Sequence, residues 1–360
     1  MLTILIFFSV LGLLILVHEF GHFIIAKRAG VRVEQFSLGF GPVLLKKKAQ
    51  DTEYSLSLIP LGGFVKLAGD SLEEYTGKPD EYFFQKPGKR FWIIFFGPLL
   101  NYFLAILLFW FIFFVGYPTL TTKVGGLIDG FGAQEAGVKV GDKIIAIDGK
   151  KVEYWEELQQ TVYSKTSQEK VNLSLLRQGE PLALEVRIKE SGVFDQIGQK
   201  HNRGLLGVTP FDEVIRVRHG FFESFLLSFK KVNALTLMTY RALGFMFTGR
   251  LSMRESMTGP LGIFFITSKA TSLGFIAVLH LMAVLSLSLA IFNLLPLPIL
   301  DGGHIALLGL EKLRGKPLMI KTERLINKFG VIFMVFIALF VTYNDIIKNF
   351  GDTISRFFVR

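Results

Sequence analysis

A chain of 360 residues with 51% hydrophobic side chains and 37 phenylalanines carries more apolar surface than a water-soluble domain of this size buries, so an integral membrane protein is expected. The lack of cysteine excludes a disulfide framework or a thiolate metal site, leaving His, Asp and Glu to hold any transition metal. The net charge of +10 is spread through loops that follow apolar segments, which points to membrane topology and away from nucleic acid.

The first span is expected at residues 2–26. It is charged only at Glu19 and no Lys or Arg precedes it, so it should remain as a helix rather than be removed as a secretory signal. The loop at 27–90 has strand character. VEQFSLGFGPVLL from Val33 is followed by TEYSLSLIPLGGFVKL from Thr52, with Tyr54, Leu56 and Leu58 alternating against Ser55 and Ser57. Two antiparallel strands with a free edge, Tyr54 and Leu56 along it, are expected there. A second span, 91–117, contains no charge at all.

Residues 122–211 read as a soluble α+β domain: short β-branched runs, turns at Asp148-Gly149 and Gln178-Gly179, and a helix in EYWEELQQTV. The stretch AQEAGVKVGDKIIAIDGKKV, Ala133 to Val152, resembles the PDZ fold of bacterial envelope proteases, which implies capture of an extended peptide at a sheet edge. A linker at 212–269 follows. Its segment Gly220 to Phe247 is apolar but interrupted by Glu223, Lys230, Lys231 and Arg241, which suits a helix lying on the outer membrane surface better than a fifth span. The third span is expected at 270–297 and the fourth at 329–347.

Four spans put both termini on one side. Basic residues cluster in the first loop (Lys27, Arg28, Arg32, Lys46, Lys47, Lys48) and before the last span (Lys312, Arg314, Lys316, Lys321, Arg324, Lys328), which assigns both loops to the cytoplasm. The expected architecture is a polytopic α-helical membrane protein with four transmembrane helices, a membrane-associated β-hairpin and one extracytoplasmic domain. Both termini are then extracytoplasmic, and the PDZ-like stretch, which resembles that of bacterial envelope proteases, implies a bacterial inner membrane.

Within the first span, HEFGH places His18 and His22 one helical turn apart on one face, where both imidazoles can reach one Zn²⁺, and Glu19 beside them can act as general base. Ionisable groups in hydrocarbon are costly unless partnered, so three at metal-binding spacing point to function. A catalytic zinc needs a third protein ligand and an open position. FNLLPLPILDGGH supplies Asp301, the first charged residue after Lys269, with Pro296 and Pro298 breaking the helix before it and Gly302-Gly303 after it. A carboxylate facing cytoplasmic water is the alternative reading of Asp301, and His304 is the rival ligand. His280 reads as a packed neutral histidine, and His201 and His219 as surface residues.

HEFGH, the single PDZ-like insertion and NLLPLPILDGGH together resemble the site-2 protease family of intramembrane zinc metalloproteases. The match extends to GFGP and LGGFVK in the first loop, FFGPLLN in the second span and TGPLGI at Thr258 to Ile263. The resemblance implies Zn²⁺ held by His18, His22 and Asp301, with Glu19 as the base. It also implies substrate or oxyanion contacts from Asn293 in the NxxPxP stretch with Pro296 and Pro298, and a membrane-reentrant β-element around Gly39, Phe40 and Gly41. The substrates it implies are single-span membrane proteins, either an anti-sigma factor already trimmed outside or leftover signal peptides. One departure is that well-known proteobacterial members carry two tandem PDZ domains, whereas this chain has room for one.

Overall fold

The computed structural model describes residues 1–165, 169–194, 200–315 and 320–358; Lys316 of the second basic loop lies outside them. The chain divides into two compact units, one of residues 1–112, 224–244 and 252–360, the other of 113–223 and 245–251.

The first unit begins with α1 (Leu2–Arg28), whose buried residues Phe7, Val10, Leu14, His18 and Gly21 recur every three or four positions and so form one stripe. After β1 (Val33–Ala49) and β2 (Thr52–Leu67) comes α2 (Pro87–Val115). Proline suits its first position because the missing N–H would have no partner there. Its buried stripe runs through Arg90, Ile93, Gly97, Asn101 and Ala105. These two helices were expected at 2–26 and 91–117, close to the observed bounds.

The strand pair is more elaborate than a hairpin. Val43–Ala49 fold back on Thr52–Ser57, Gln35–Leu38 lie beside Glu53–Leu56 with both residue numbers rising together, and the same Gln35–Leu38 pair antiparallel with Gly63–Lys66. Four lanes therefore lie side by side, and the outer two are 43–49 and 63–67. Tyr54 and Leu56, expected on the exposed edge, sit in an inner lane, with Tyr54 opposite both Phe36 and Lys47. Gly39 and Gly41 have φ of 84° and 85°, so the GFGP turn needs glycine to re-aim the strand between its two lanes.

The second unit comprises β3 (Tyr117–Leu120), β4 (Val124–Leu127), α3 (Gly132–Glu135), β5 (Lys143–Ile147), β6 (Lys150–Lys151), α4 (Trp155–Tyr163), β7 (Lys170–Arg177), β8 (Glu180–Arg187), β9 (Lys189–Phe194), β10 (Lys200–Leu205), β11 (Val208–Pro210) and β12 (Val214–Val217). An antiparallel sheet in the order β6-β5-β7-β8 is joined by the pairs β10-β9, β11-β4 and β12-β3. Alternation along β7 buries Val171, Leu173 and Leu175 against Ile144, Trp155, Leu158, Val186 and Leu206. Asp142 accepts from both Nε and Nη2 of Arg177 and from the Lys139 backbone N–H. The unit exceeds the expected 122–211 because β3 and β12 pair outside those bounds.

In the segment expected as a linker, α5 (Phe221–Phe247) is one continuous helix that buries Ser224, Ser228 and Val232. The Tyr102 hydroxyl of α2 donates to Asn233 of α5 at 3.2 Å. After α6 (Met253–Ser256) come α7 (Pro260–Leu273), α8 (Phe275–Asn293), α9 (Asp301–Arg314) and α10 (Ile320–Phe358). The third span is shorter than the expected 270–297, because Gly274 at φ 101° separates α7 from α8 and α8 ends at Asn293 with Leu294 as its C-cap. Four described helices are long and apolar enough to cross a membrane: α1, α2, α8 and the 324–348 part of α10. Within that last part, Asp345 accepts from the Gly259 and Gly262 N–H groups at the start of α7, at 3.1 and 2.8 Å. An intramembrane carboxylate thus finds its partner in a helix N-terminus.

Candidate metal centre

Three chain segments converge on His18. Being on the buried stripe of α1, it faces the neighbouring helices, and His22 follows one turn on with the two ring centroids 4.8 Å apart. The glycine of HEFGH has a packing reason: a Cβ on Gly21 would come within 2.4 Å of the Phe96 carbonyl oxygen. On α2, a Cβ on Gly97 would fall 2.3 Å from Nε2 of His22. Small residues at both positions let the α1 and α2 backbones approach closely enough to hold the imidazole.

Asp301 arrives from the broken stretch between α8 and α9. Pro296 and Pro298 cannot continue the helix, and Ile299 takes φ 77°, a strained value for a β-branched residue. The chain then restarts as α9 with Asp301 in its first turn, where the helix dipole favours a carboxylate. Gly302 and Gly303 sit against the carbonyls of Leu294, Leu295 and Leu297, at distances that leave no room for a Cβ.

The resulting geometry is compact. His18 Nε2 lies 3.1 Å from Asp301 Oδ2, His22 Nε2 lies 3.6 Å from Asp301 Oδ1, and the two Nε2 atoms are 3.3 Å apart. One ligand atom from each residue falls within 4.8 Å of the others. His22 Nδ1–H donates to the Ile93 carbonyl at 2.9 Å, which leaves Nε2 of the neutral ring as a bare lone pair aimed at a carboxylate. Asp301 Oδ2 is itself buried and, among the described residues, has no hydrogen-bond donor. Converging acceptors repel unless a cation lies among them, and two imidazoles with a carboxylate are a zinc donor set. The residues fit the ion.

Glu19 is half-buried, near enough to His22 and Asp301 to feel their charges, and within reach of the Val65 backbone N–H. A Cβ on Gly63 would lie 3.3 Å from the Glu19 Cγ, so the edge lane 63–67 runs directly past this carboxylate. Of the other residues expected at the site, Asn293 ends α8, and no hydrogen bond joins its side chain to the triad among the described residues. Gly39, Phe40 and Gly41 lie in the turn between strand lanes, with Phe40 paired to Ile59. His304 is in α9, one turn beyond Asp301, outside the triad.

Sequence reasoning passed over Gly63, Val65, Ile93, Gly97 and Asn101. Asn101 is fully buried, with Nδ2 3.4 Å from His18 Nδ1. A signal was present, since an amide in a charge-free span is costly and requires a partner. Farther from the triad, Arg90 on α2 pairs with Glu311 on α9 and lies over the ring of Phe83 at 5.4 Å. This buried pair ties together the two helices that carry Ile93 and Asp301.

The family described as peptidase family M50 matches residues 6–337. A protein of Fusobacterium nucleatum provisionally named a zinc metalloprotease is 33% identical over 354 residues, covering 97% of this chain and all of that one. One of the same name from Agrobacterium fabrum is 32% identical over 364 residues. The regulator of sigma E protease of Haemophilus influenzae is 25% identical and covers 95% of this chain and 98% of its own length, in an alignment of 435 positions that is longer than this chain. Among solved structures, the PDZ domain of an SdrC-like protein from Listeria monocytogenes covers 27% of this chain at 20% identity with a TM-score of 0.20.

Proposed function

The chain belongs to peptidase family M50, and from that premise we propose that His18, His22 and Asp301 hold its zinc and Glu19 serves as its general base in cleaving single-span membrane proteins inside the bilayer. It is a zinc metalloprotease of the site-2 protease type and a multi-pass membrane protein. One observation carries the residue assignment: the Nε2 atoms of His18 and His22 and the carboxylate of Asp301 meet beside Glu19 within a set of apolar helices.

Zinc in such a site lowers the pKa of bound water to about 7 and polarises a carbonyl. The remaining chemistry falls to the protein. Glu19 takes a proton from the attacking water and returns it to the leaving nitrogen, which its place beside His22 and Asp301 allows. A transmembrane substrate must be unwound before its peptide bonds can be reached. The edge lane 63–67, which passes Glu19, offers backbone groups to replace the hydrogen bonds that unwinding breaks. Val65→Pro would remove the N–H nearest Glu19, and cleavage should fall while zinc content stays the same; unchanged cleavage would remove the edge from the mechanism. The tip of the outer lane exposes Val43, Leu44 and Leu45 ahead of Lys46, Lys47 and Lys48, a pattern suited to dipping into lipid under anionic headgroups.

The second unit fits a PDZ role. A groove between α4 and residues 205–208 is lined by Ile128, Trp155, Leu158 and Val162, and would take the apolar end of a peptide. In this reading it lies outside the cytoplasmic membrane and reads the trimmed outer end of the substrate, with the zinc site near the cytoplasmic face. An anti-sigma factor is the favoured substrate, on the strength of the Haemophilus relative's name; remnant signal peptides are the second reading. Membrane peptides that accumulate in cells carrying Glu19→Gln, identified by mass spectrometry, decide between them. Accumulation of neither class would sink both.

A further inference from the structure

We propose that Asn101 is a positioning residue for His18, its side-chain oxygen accepting the Nδ1 proton of that imidazole and so fixing the tautomer that leaves Nε2 free for metal. This rests on the reading of His18 as a zinc ligand.

Asn101 is fully buried, and its side-chain nitrogen stands 3.4 Å from His18 Nδ1 while its side-chain oxygen has no partner. An unsatisfied amide oxygen in an apolar helix bundle costs its full desolvation penalty, more than an ordinary hydrogen bond contributes, and native sites avoid it. With the amide nitrogen turned toward it, His18 Nδ1 can only accept, so the ring proton would have to sit on Nε2, the atom that faces Asp301 Oδ2 at 3.1 Å.

A metal on Nε2 reverses this. The neutral ring must then carry its proton on Nδ1, where an amide NH₂ group cannot accept it. Turning the amide by 180°, which leaves its shape unchanged, brings the oxygen onto Nδ1 and gives it a partner. His22 already has the equivalent arrangement, with Nδ1–H on the Ile93 carbonyl at 2.9 Å. Both imidazoles are thereby oriented from α2, one by a main-chain and one by a side-chain oxygen. Separately, Ser286 Oγ of α8 donates to the Asn101 main-chain carbonyl at 2.8 Å, a contact that leaves the side-chain amide untouched.

The test compares zinc release from the full-length, zinc-loaded protein in detergent to an excess of a colorimetric chelator. Asn101→Leu should release zinc roughly 10- to 100-fold faster, as loss of such a partner does in other zinc sites. Asn101→Asp, which still offers an acceptor, should release it no faster than wild type. Ser286→Ala, which touches only the main-chain carbonyl, should also keep the wild-type rate. Wild-type release from Asn101→Leu, or fast release from Asn101→Asp or Ser286→Ala, overturns the proposal. Should Asn101→Leu not fold, ¹⁵N-histidine NMR of the zinc-loaded wild type tests the contact directly: the Nδ1–H of His18 is expected to be hydrogen-bonded, shifted downfield and slow to exchange, and a freely exchanging, unbonded Nδ1–H overturns the proposal. Zinc retained by His18→Ala would instead remove the ligand reading itself.

Discussion

The two units place their polar groups in opposite ways. In the unit built around β5, β7 and β8, an apolar core is enclosed and charges meet at the rim, as in Lys170–Glu185 and Lys189–Glu135, where ion pairs contribute about 0–1 kcal/mol. In the other unit, Trp92, Leu107 and Phe336 face outward while Asn101, Ser286, Arg90 and Asp345 are buried. Water solvates any polar side chain on the first surface. Nothing does so in lipid, so each buried polar group needs a named partner, and that partner reveals its task. For Asp345 the partner is a helix N-terminus, for Arg90 it is Glu311, and for His18, His22 and Asp301 we propose one shared ion.

The contrast breaks most readily at Glu19. Glu19→Gln should lower cleavage of a model single-span substrate by roughly 10²–10⁴-fold with zinc content unchanged; loss of zinc in that variant would make Glu19 a ligand. In the second unit, Leu173→Ala opens a cavity under the sheet and should destabilise that unit by about 2–5 kcal/mol in denaturant unfolding, without altering zinc content. A matching loss of zinc would mean that the units do not act separately. Gly97→Ala drives a methyl into His22, and zinc affinity should drop by about 10- to 100-fold, read by competition with a chelator. An unchanged affinity would show that the imidazole has another seat.

The smallest effect is expected from Asp142→Asn, at about 1–3 kcal/mol near neutral pH. The Arg177 guanidinium, helped by the Lys139 N–H, holds the Asp142 carboxyl below its ordinary value of 3.8. A depressed folded value means that the stabilisation is complete above 3.8 and is lost as pH falls through the folded pKa below it. The wild-type unit should therefore lose stability on acidification below about pH 4 more steeply than the Asn variant, as followed by urea midpoints across that range.

Much of this was legible in the sequence for local reasons. Apolar length marked the spans, and HExxH spacing marked one helical face, because both depend on neighbours along the chain. Asp301 was marked by being the first charge after a long apolar run, with prolines before it and glycines after it. What stayed hidden depends on distant partners. The four-lane arrangement of β1 and β2 moves Tyr54 and Leu56 from the edge to the interior because Gln35–Leu38 take neighbours on both sides, which alternation alone cannot encode. The split of the third span at Gly274 rests on one backbone angle. Asn101 was visible as an isolated amide but its role was not, since that requires knowing that α2 crosses α1 at His18.

The glycine contact between α1 and α2 also limits the approaches to the proposed zinc centre. A methyl group cannot fit between Gly21 and the Phe96 carbonyl, nor between Gly97 and His22, and a water molecule is no smaller. That flank is therefore a wall. Water and peptide have to share the remaining approaches, among them the side where Gly63 and Val65 border Glu19. On the proposed mechanism, a peptide entering there would compete with the water that its own hydrolysis requires.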